Sequence, residues 1–304
     1  MRRKRFLHSD LSAAAAVCTA AALVYLSVDL VLVNGARALL QRWLAGPGAG
    51  APAAFYETLL WLATLGTALL ATLAPVGFAV YLGGLHAQEM ALCRPRRALT
   101  LPAAGLFLGG SVLLNFVAGL VGERTGSVQQ YTLPQTPAAF FAAFCAIVVV
   151  PAVTEEVLFR GALRALMRPH GAWLAVVAQA VLFALLHGKL SAVVYALPAG
   201  LFLGYLAEAC GSIYPGMLLH FLNNLFAFII LALNQNGLSG LATLFASVEA
   251  IAFPLFAAVV LVQMLCNKKL LPRLPQGTSP LHLVRCPAFV IGAAGILLYD
   301  LLHL

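Results

Sequence analysis

The chain has 304 residues, of which 62% are hydrophobic and only 9% charged, with a formal net charge of +8. A soluble globular domain carries roughly 25% charged residues, so this composition excludes one and describes a polytopic membrane protein. Basic residues in such a chain report orientation, and the positive balance calls for no nucleic acid partner.

A spanning helix needs about 20 apolar residues. By that measure spans fall near 11–33, 54–85, 101–122, 137–160, 171–188, 190–208, 213–234 and 244–266. A weaker ninth at 286–304 is short and carries Asp300 and His303 near its end. The expected fold is an all-α polytopic integral membrane protein with about eight transmembrane helices and this doubtful ninth at the C-terminus. The second span is long enough to tilt, to kink at Pro75 or to extend past the bilayer. The basic residues 1–5 ahead of the first span imitate a signal peptide. The apolar run that follows is longer than the roughly 7–15 residues of an h-region, so a retained span is expected. The connections 34–53, 86–100, 123–136 and 267–285 are too short for a folded soluble domain, and no fixed-period repeat is visible. Residues 1–304 read as a single membrane domain. Cys18, Cys93, Cys145, Cys210, Cys266 and Cys286 stand singly, with no C-x-x-C spacing, and read as packing residues.

With the basic N-terminus assigned to the cytoplasm and the loops alternating, only Arg37, Arg42, Arg124 and Lys189 of the 18 Lys and Arg fall on the opposite side. The positive-inside rule expects this asymmetry. The expected location is an integral, multi-pass one with a cytoplasmic N-terminus, in the plasma or inner membrane if the chain is bacterial.

Three stretches carry ionisable or amide groups inside apolar helices, where a charge at the helix centre costs roughly 2.5–3.5 kcal/mol on insertion scales. The first is Thr154-Glu155-Glu156-Val157-Leu158-Phe159-Arg160, at the foot of the apolar run 137–153. Glu156 and Arg160 are i and i+4 and share a helix face, whereas Glu155 is turned away as the freer carboxylate. The plainer alternative is a charged cap where the helix leaves the bilayer. The second is Phe183-Ala184-Leu185-Leu186-His187, for which an interfacial histidine is the alternative. Counting the rise on both sides of the Pro169-His170 turn brings His187 level with Glu155, provided 160–168 continues as helix. The third is His220-Phe221-Leu222-Asn223-Asn224, with His220 and Asn224 on one face and Pro215 and Gly216 marking the helix entry. A locally bonded core histidine is the alternative here. Asp29, Glu57, Asn115, Gln179, Tyr195, Glu208 and Glu249 are further polar groups within spans that could line a substrate path; interhelical hydrogen bonding is their commoner use, and none is given a role.

In order and spacing, EEVLFR, FALLH and HFLNN resemble the three signature motifs (EExxxR, FxxxH, HxxxN/D) of the CPBP intramembrane proteases. This is the type II CAAX prenyl endopeptidase and bacteriocin-processing family, also called the Abi family. The resemblance covers 137–235 as a catalytic core and leaves 1–100 and 245–304 as additional membrane helices. It implies hydrolysis of a peptide bond in a lipid-modified or membrane-associated peptide, near the cytoplasmic face. Membrane lipid and a peptide or prenylated-protein substrate are the implied partners. Glu155 and His187 then suit the activation of water, and His220 and Asn224 suit an oxyanion. Glu156 with Arg160 would support the site, although Arg160 could instead bind a substrate carboxylate. A metal-free glutamate mechanism is preferred, with no cofactor; zinc held by Glu155, His187 and His220 stays open. A non-enzymatic peptide-binding or immunity scaffold is the main competitor. A proton-relaying transporter is less supported, because no repeated halves are visible.

Overall fold

A backbone in hydrocarbon must satisfy its own N–H and C=O groups, so charge-poor apolar runs of this length become helices. A computed structural model describes residues 7, 9–48, 50–95, 99–126, 132–267 and 272–302. The basic residues Arg2, Arg3, Lys4, Arg5, Arg96, Arg97, Lys268 and Lys269 used for the orientation, and His303, lie outside the described residues.

In chain order the helices are α1 (Leu11–Leu44), α2 (Ala53–Gly83), α3 (Thr100–Thr125), α4 (Pro137–His170), α5 (Ala172–Leu185), α6 (Leu190–Cys210), α7 (Tyr214–Gln235), α8 (Ser239–Cys266) and α9 (Pro287–Leu302). Each span read from the sequence is occupied by one of them. Seven are long and apolar enough to cross a membrane, and α5 and α9 are shorter apolar helices. The protein is an all-α, multi-pass integral membrane protein. The lipid-facing character is plainest on α8, where Leu241, Leu244, Val248, Ile251, Leu255, Val259 and Val262 are exposed at helical spacing.

Small residues bring the helices together, because lipid supplies no hydrophobic drive between them. The same pentapeptide, Gly-Leu-Phe-Leu-Gly, occurs at 105–109 in α3 and at 200–204 in α6. In α3 its glycines admit Phe253, Phe256, Ala257 and Val260 of α8, and in α6 they admit Val176, Gln179, Ala180 and Phe183 of α5. The Gln179 amide is buried there and donates to the Val176 and Gly200 carbonyls. The alanine-rich start of α1 does the same against α4: Ala14, Ala15, Cys18, Ala21 and Ala22 are fully buried, with Leu158, Phe159, Leu163 and Met167 in the same core.

The 34 residues of α4 extend for about 51 Å at 1.5 Å per residue, well beyond the hydrocarbon thickness. Its last turns carry Arg164 and Arg168, both paired with Glu208 of α6, at 2.5 and 2.6 Å. The helix therefore continues through 160–168, and α5 folds back from the 168–170 turn as a short, largely buried helix. Gly188, with φ of +71°, closes the turn between α5 and α6, a conformation that favours glycine.

The α3–α8 contact yields a test. A Cβ on Gly109 would lie 2.5 Å from the Ala257 Cβ and 2.6 Å from the Phe253 carbonyl oxygen, whereas one on Gly110 would meet nothing within 4 Å. Gly109→Ala is expected to destabilise the fold by about 1–3 kcal/mol, as overpacking does. Gly110→Ala should melt like the wild type in detergent, and equal melting of both variants would contradict this packing.

Candidate active site

The helix that carries the two glutamates is not a uniform α-helix. Turns of π-helix occupy Cys145–Val149 and Glu156–Leu163, on either side of Val150–Glu155. Such insertions accompany functional sites, and here Pro151 gives one local reason. Proline has no N–H, so the α-helical bond to the Ile147 carbonyl four residues back is unavailable. That carbonyl accepts instead from Asn224 Nδ2 of α7, at 3.3 Å. One residue of the third motif is thus fastened to the interruption just ahead of the first.

Glu155 and Glu156 have different surroundings. Glu156 is fully buried: its Oε1 lies 3.1 Å from Arg160 Nη1 and 3.1 Å from His220 Nδ1. Its Oε2 faces Gly216, where a Cβ would come within 2.9 Å. Arg160 is also fully buried, with its guanidinium 4.0 Å from the centre of the Phe183 ring. This is a cation–π contact made in a desolvated setting. Glu155 retains 14% side-chain exposure, and its Oε2 lies 4.0 Å from His220 Nε2. That separation is beyond a hydrogen bond.

The hydrogen bonds assign the histidine protons. A carbonyl only accepts, so His187 Nδ1, 2.7 Å from the Phe183 oxygen, carries its hydrogen. The neutral ring then offers Nε2 as an acceptor. A carboxylate likewise only accepts, so His220 Nδ1 donates to Glu156 and its Nε2 is the atom towards Glu155.

Glu155, His187, His220, Asn223 and Asn224 all line one cavity of about 960 Å³, at the upper end of the roughly 300–1,000 Å³ usual for ligand sites. The sequence-read residues Glu155, His187, His220 and Asn224 are thereby brought together from α4, the α5–α6 turn and α7. Glu156 and Arg160 stand behind them, outside the lining. In this arrangement Arg160 does not reach a substrate carboxylate. Asn224 has one N–H committed to Ile147, and its Oδ1 accepts from Asn223 at 3.3 Å.

Of the other polar groups within spans, Asp29, Asn115 and Tyr195 also line the cavity, the last with its hydroxyl 3.2 Å from Ser111 Oγ. Tyr25, Trp61 and Thr64 complete walls that come from helices outside the motif region. Glu57 instead accepts from the backbone N–H groups of Gln135 and Thr136. Asp29, Asn115 and Tyr195 are among the polar groups that the sequence offers as possible lining of a substrate path, whereas nothing in it points to Tyr25, Trp61 or Thr64.

Two imidazoles and a carboxylate are chemically a zinc donor set. Among the described residues, however, no three His, Cys, Asp or Glu side chains are disposed to hold a metal ion.

The buried pair gives a prediction. Removing one member of such a pair costs about 3–5 kcal/mol, because the other charge is left uncompensated. Arg160→Met should therefore lower the melting temperature markedly, and the double variant Arg160→Met with Glu156→Met should recover much of the loss. A double variant no more stable than the single one would contradict the pairing.

Among comparisons with known proteins, residues 137–226 match the family model described as Type II CAAX prenyl endopeptidase Rce1-like. No curated protein and no solved structure matches the chain significantly. The matched segment runs from the start of α4 into α7 and contains all three motifs. The match indicates a protease of the CAAX type, a hydrolase working in a lipid environment on a peptide or prenylated substrate. Over residues 137–226 the chain is similar to the Rce1-like family, which is consistent with the CPBP family of intramembrane proteases.

Proposed function

We propose that the protein is an intramembrane endopeptidase that hydrolyses a lipid-modified or membrane-associated peptide, with Glu155, His187, His220 and Asn224 as its catalytic residues. The observation that carries the reading is the convergence of these four side chains on one cavity large enough for a stretch of peptide. Residues 137–235 are the catalytic core in this reading, within one membrane domain.

Glu155, the more accessible carboxylate, takes a proton from water while His187 Nε2 holds that water by accepting its other hydrogen. The water oxygen bonds to the scissile carbonyl carbon, and the carbonyl π pair moves to oxygen. The oxyanion accepts from the free N–H of Asn224 and from His220 Nε2, the latter requiring the doubly protonated ring. On collapse the C–N bond breaks, and Glu155 returns its proton to the leaving amine. Glu156 and Arg160 are positioning residues: the first sets the His220 ring, and the second compensates the first. Orientation with the N-terminus in the cytoplasm belongs to the same proposal, on the distribution of Lys and Arg.

The test is cleavage of a fluorogenic panel of prenylated CAAX-like and unmodified leader peptides by the detergent-purified protein. Glu155→Ala and His187→Ala are expected to lose roughly 10²–10⁴-fold in rate, the usual scale for a positioned acid or base. Activity should survive exhaustive chelation; loss on chelation and recovery with zinc would replace the glutamate mechanism with a metal-dependent one. A folded wild type that binds peptides from the panel but cleaves none would favour the scaffold reading.

A further inference from the structure

The cavity has a direction. Along α3 its lining runs from Phe107 to Gly122, about 22 Å at 1.5 Å per residue, and ends close to the helix terminus at Thr125. Thr132, in the α3–α4 connection, and Ser191, in the first turn of α6, line it at the same end. At the other end its floor is made by Phe107, Phe159, Phe183 and Leu203. None of the described connections beyond that floor contributes a lining residue. They are tied to one another instead: Ile213 N–H donates to the Ala91 carbonyl at 3.1 Å, and Arg164 donates to the Glu89 carbonyl at 2.9 Å.

The sealed end is the basic one. Arg94, Arg164, Arg168, Arg273 and Arg285 belong to it among the described residues, and the open end has Arg42, Arg124 and Lys189. Arg96, Arg97, Lys268 and Lys269 fall in connections of the sealed end by their place in the sequence. The positive-inside rule makes the sealed end cytoplasmic. Among the described residues the lining contains Asp29 and Glu155 but no Lys or Arg. A free carboxylate entering it would meet the like charges of Asp29 and Glu155 and no guanidinium or ammonium partner, whereas a neutral or basic peptide segment would face those two carboxylates, with the His220 ring of the proposed mechanism as the one cationic group.

We propose that the chamber admits a membrane-anchored peptide from the non-cytoplasmic side, so that its substrates are exported peptides with neutral or basic residues at the cleaved region. The reading from sequence alone had put the reaction near the cytoplasmic face. The substrate class rests on the protease reading above; the direction of opening does not.

The experiment uses a full-length variant with the six native cysteines replaced, in sealed right-side-out and inside-out vesicles. Single cysteines are returned at Ala192 and Ala227 on the cavity wall, and at Gln276 in the α8–α9 connection as the cytoplasmic reporter. A charged, impermeant thiol reagent is expected to label Ala192→Cys and Ala227→Cys in right-side-out vesicles, and Gln276→Cys only in inside-out ones. Two wall positions guard against one misfolded variant. Labelling of the wall cysteines only in inside-out vesicles, or in neither preparation, overturns the proposal. In the same vesicles carrying the native protein, a lipid-anchored basic peptide added externally should be cleaved many times faster by the right-side-out preparation. Faster cleavage by inside-out vesicles refutes the substrate class. A labelled chamber with no cleavage in either preparation or in detergent keeps the direction of opening and removes the protease reading.

Discussion

The structure depends on one buried carboxylate. Glu156 receives Arg160 from its own helix and His220 from α7, both at 3.1 Å, in a place that water does not reach. A lone charge there would be too costly to bury, and two opposite charges with a third polar partner make the burial tolerable. The phenyl ring of Phe183 adds its face to the guanidinium. Through that contact α4, α5 and α7 meet at one level, and His187, one turn beyond Phe183, is bonded to the Phe183 carbonyl. The interaction leaves Glu155, the adjacent residue, free of structural duty.

Local departures from regular helix serve the same end. Without an N–H at Pro151, a carbonyl on α4 becomes available to Asn224. The π-helical turn over Glu156–Leu163 is where both charged members of the buried pair sit. The short α5 ends just past Phe183, and Gly188 turns the chain there, so that His187 stands in the turn on the cavity wall.

Much of this was legible in the sequence because helical periods are rigid. The i, i+4 spacing of Glu156 and Arg160 predicts their pairing, and counting the rise around 168–170 predicts the level of His187. The hydrophobic runs predict the helices themselves. Which helices become neighbours was not legible, because that is decided by close approach at single small residues, such as Gly109 against Ala257. Asp29 and Asn115 could therefore be offered only as possible lining of a substrate path, with no role, although they line the same cavity as Glu155. The direction of the cavity was hidden for a related reason. It depends on which residues of α3, α4, α5 and α6 line the cavity at its deeper end, Phe107, Phe159, Phe183 and Leu203, and these residues are distant in the chain.

In the proposed mechanism the adjacent glutamates do opposite work: Glu156 holds the helices and the His220 ring, and Glu155 handles the proton. Thermal denaturation and peptide cleavage measured side by side on Glu155→Gln and Glu156→Gln test this most directly. The predicted result is a Glu155→Gln protein that melts like the wild type and does not cleave, beside a Glu156→Gln protein that melts lower. Wild-type cleavage by Glu155→Gln, or wild-type melting of Glu156→Gln, would contradict it.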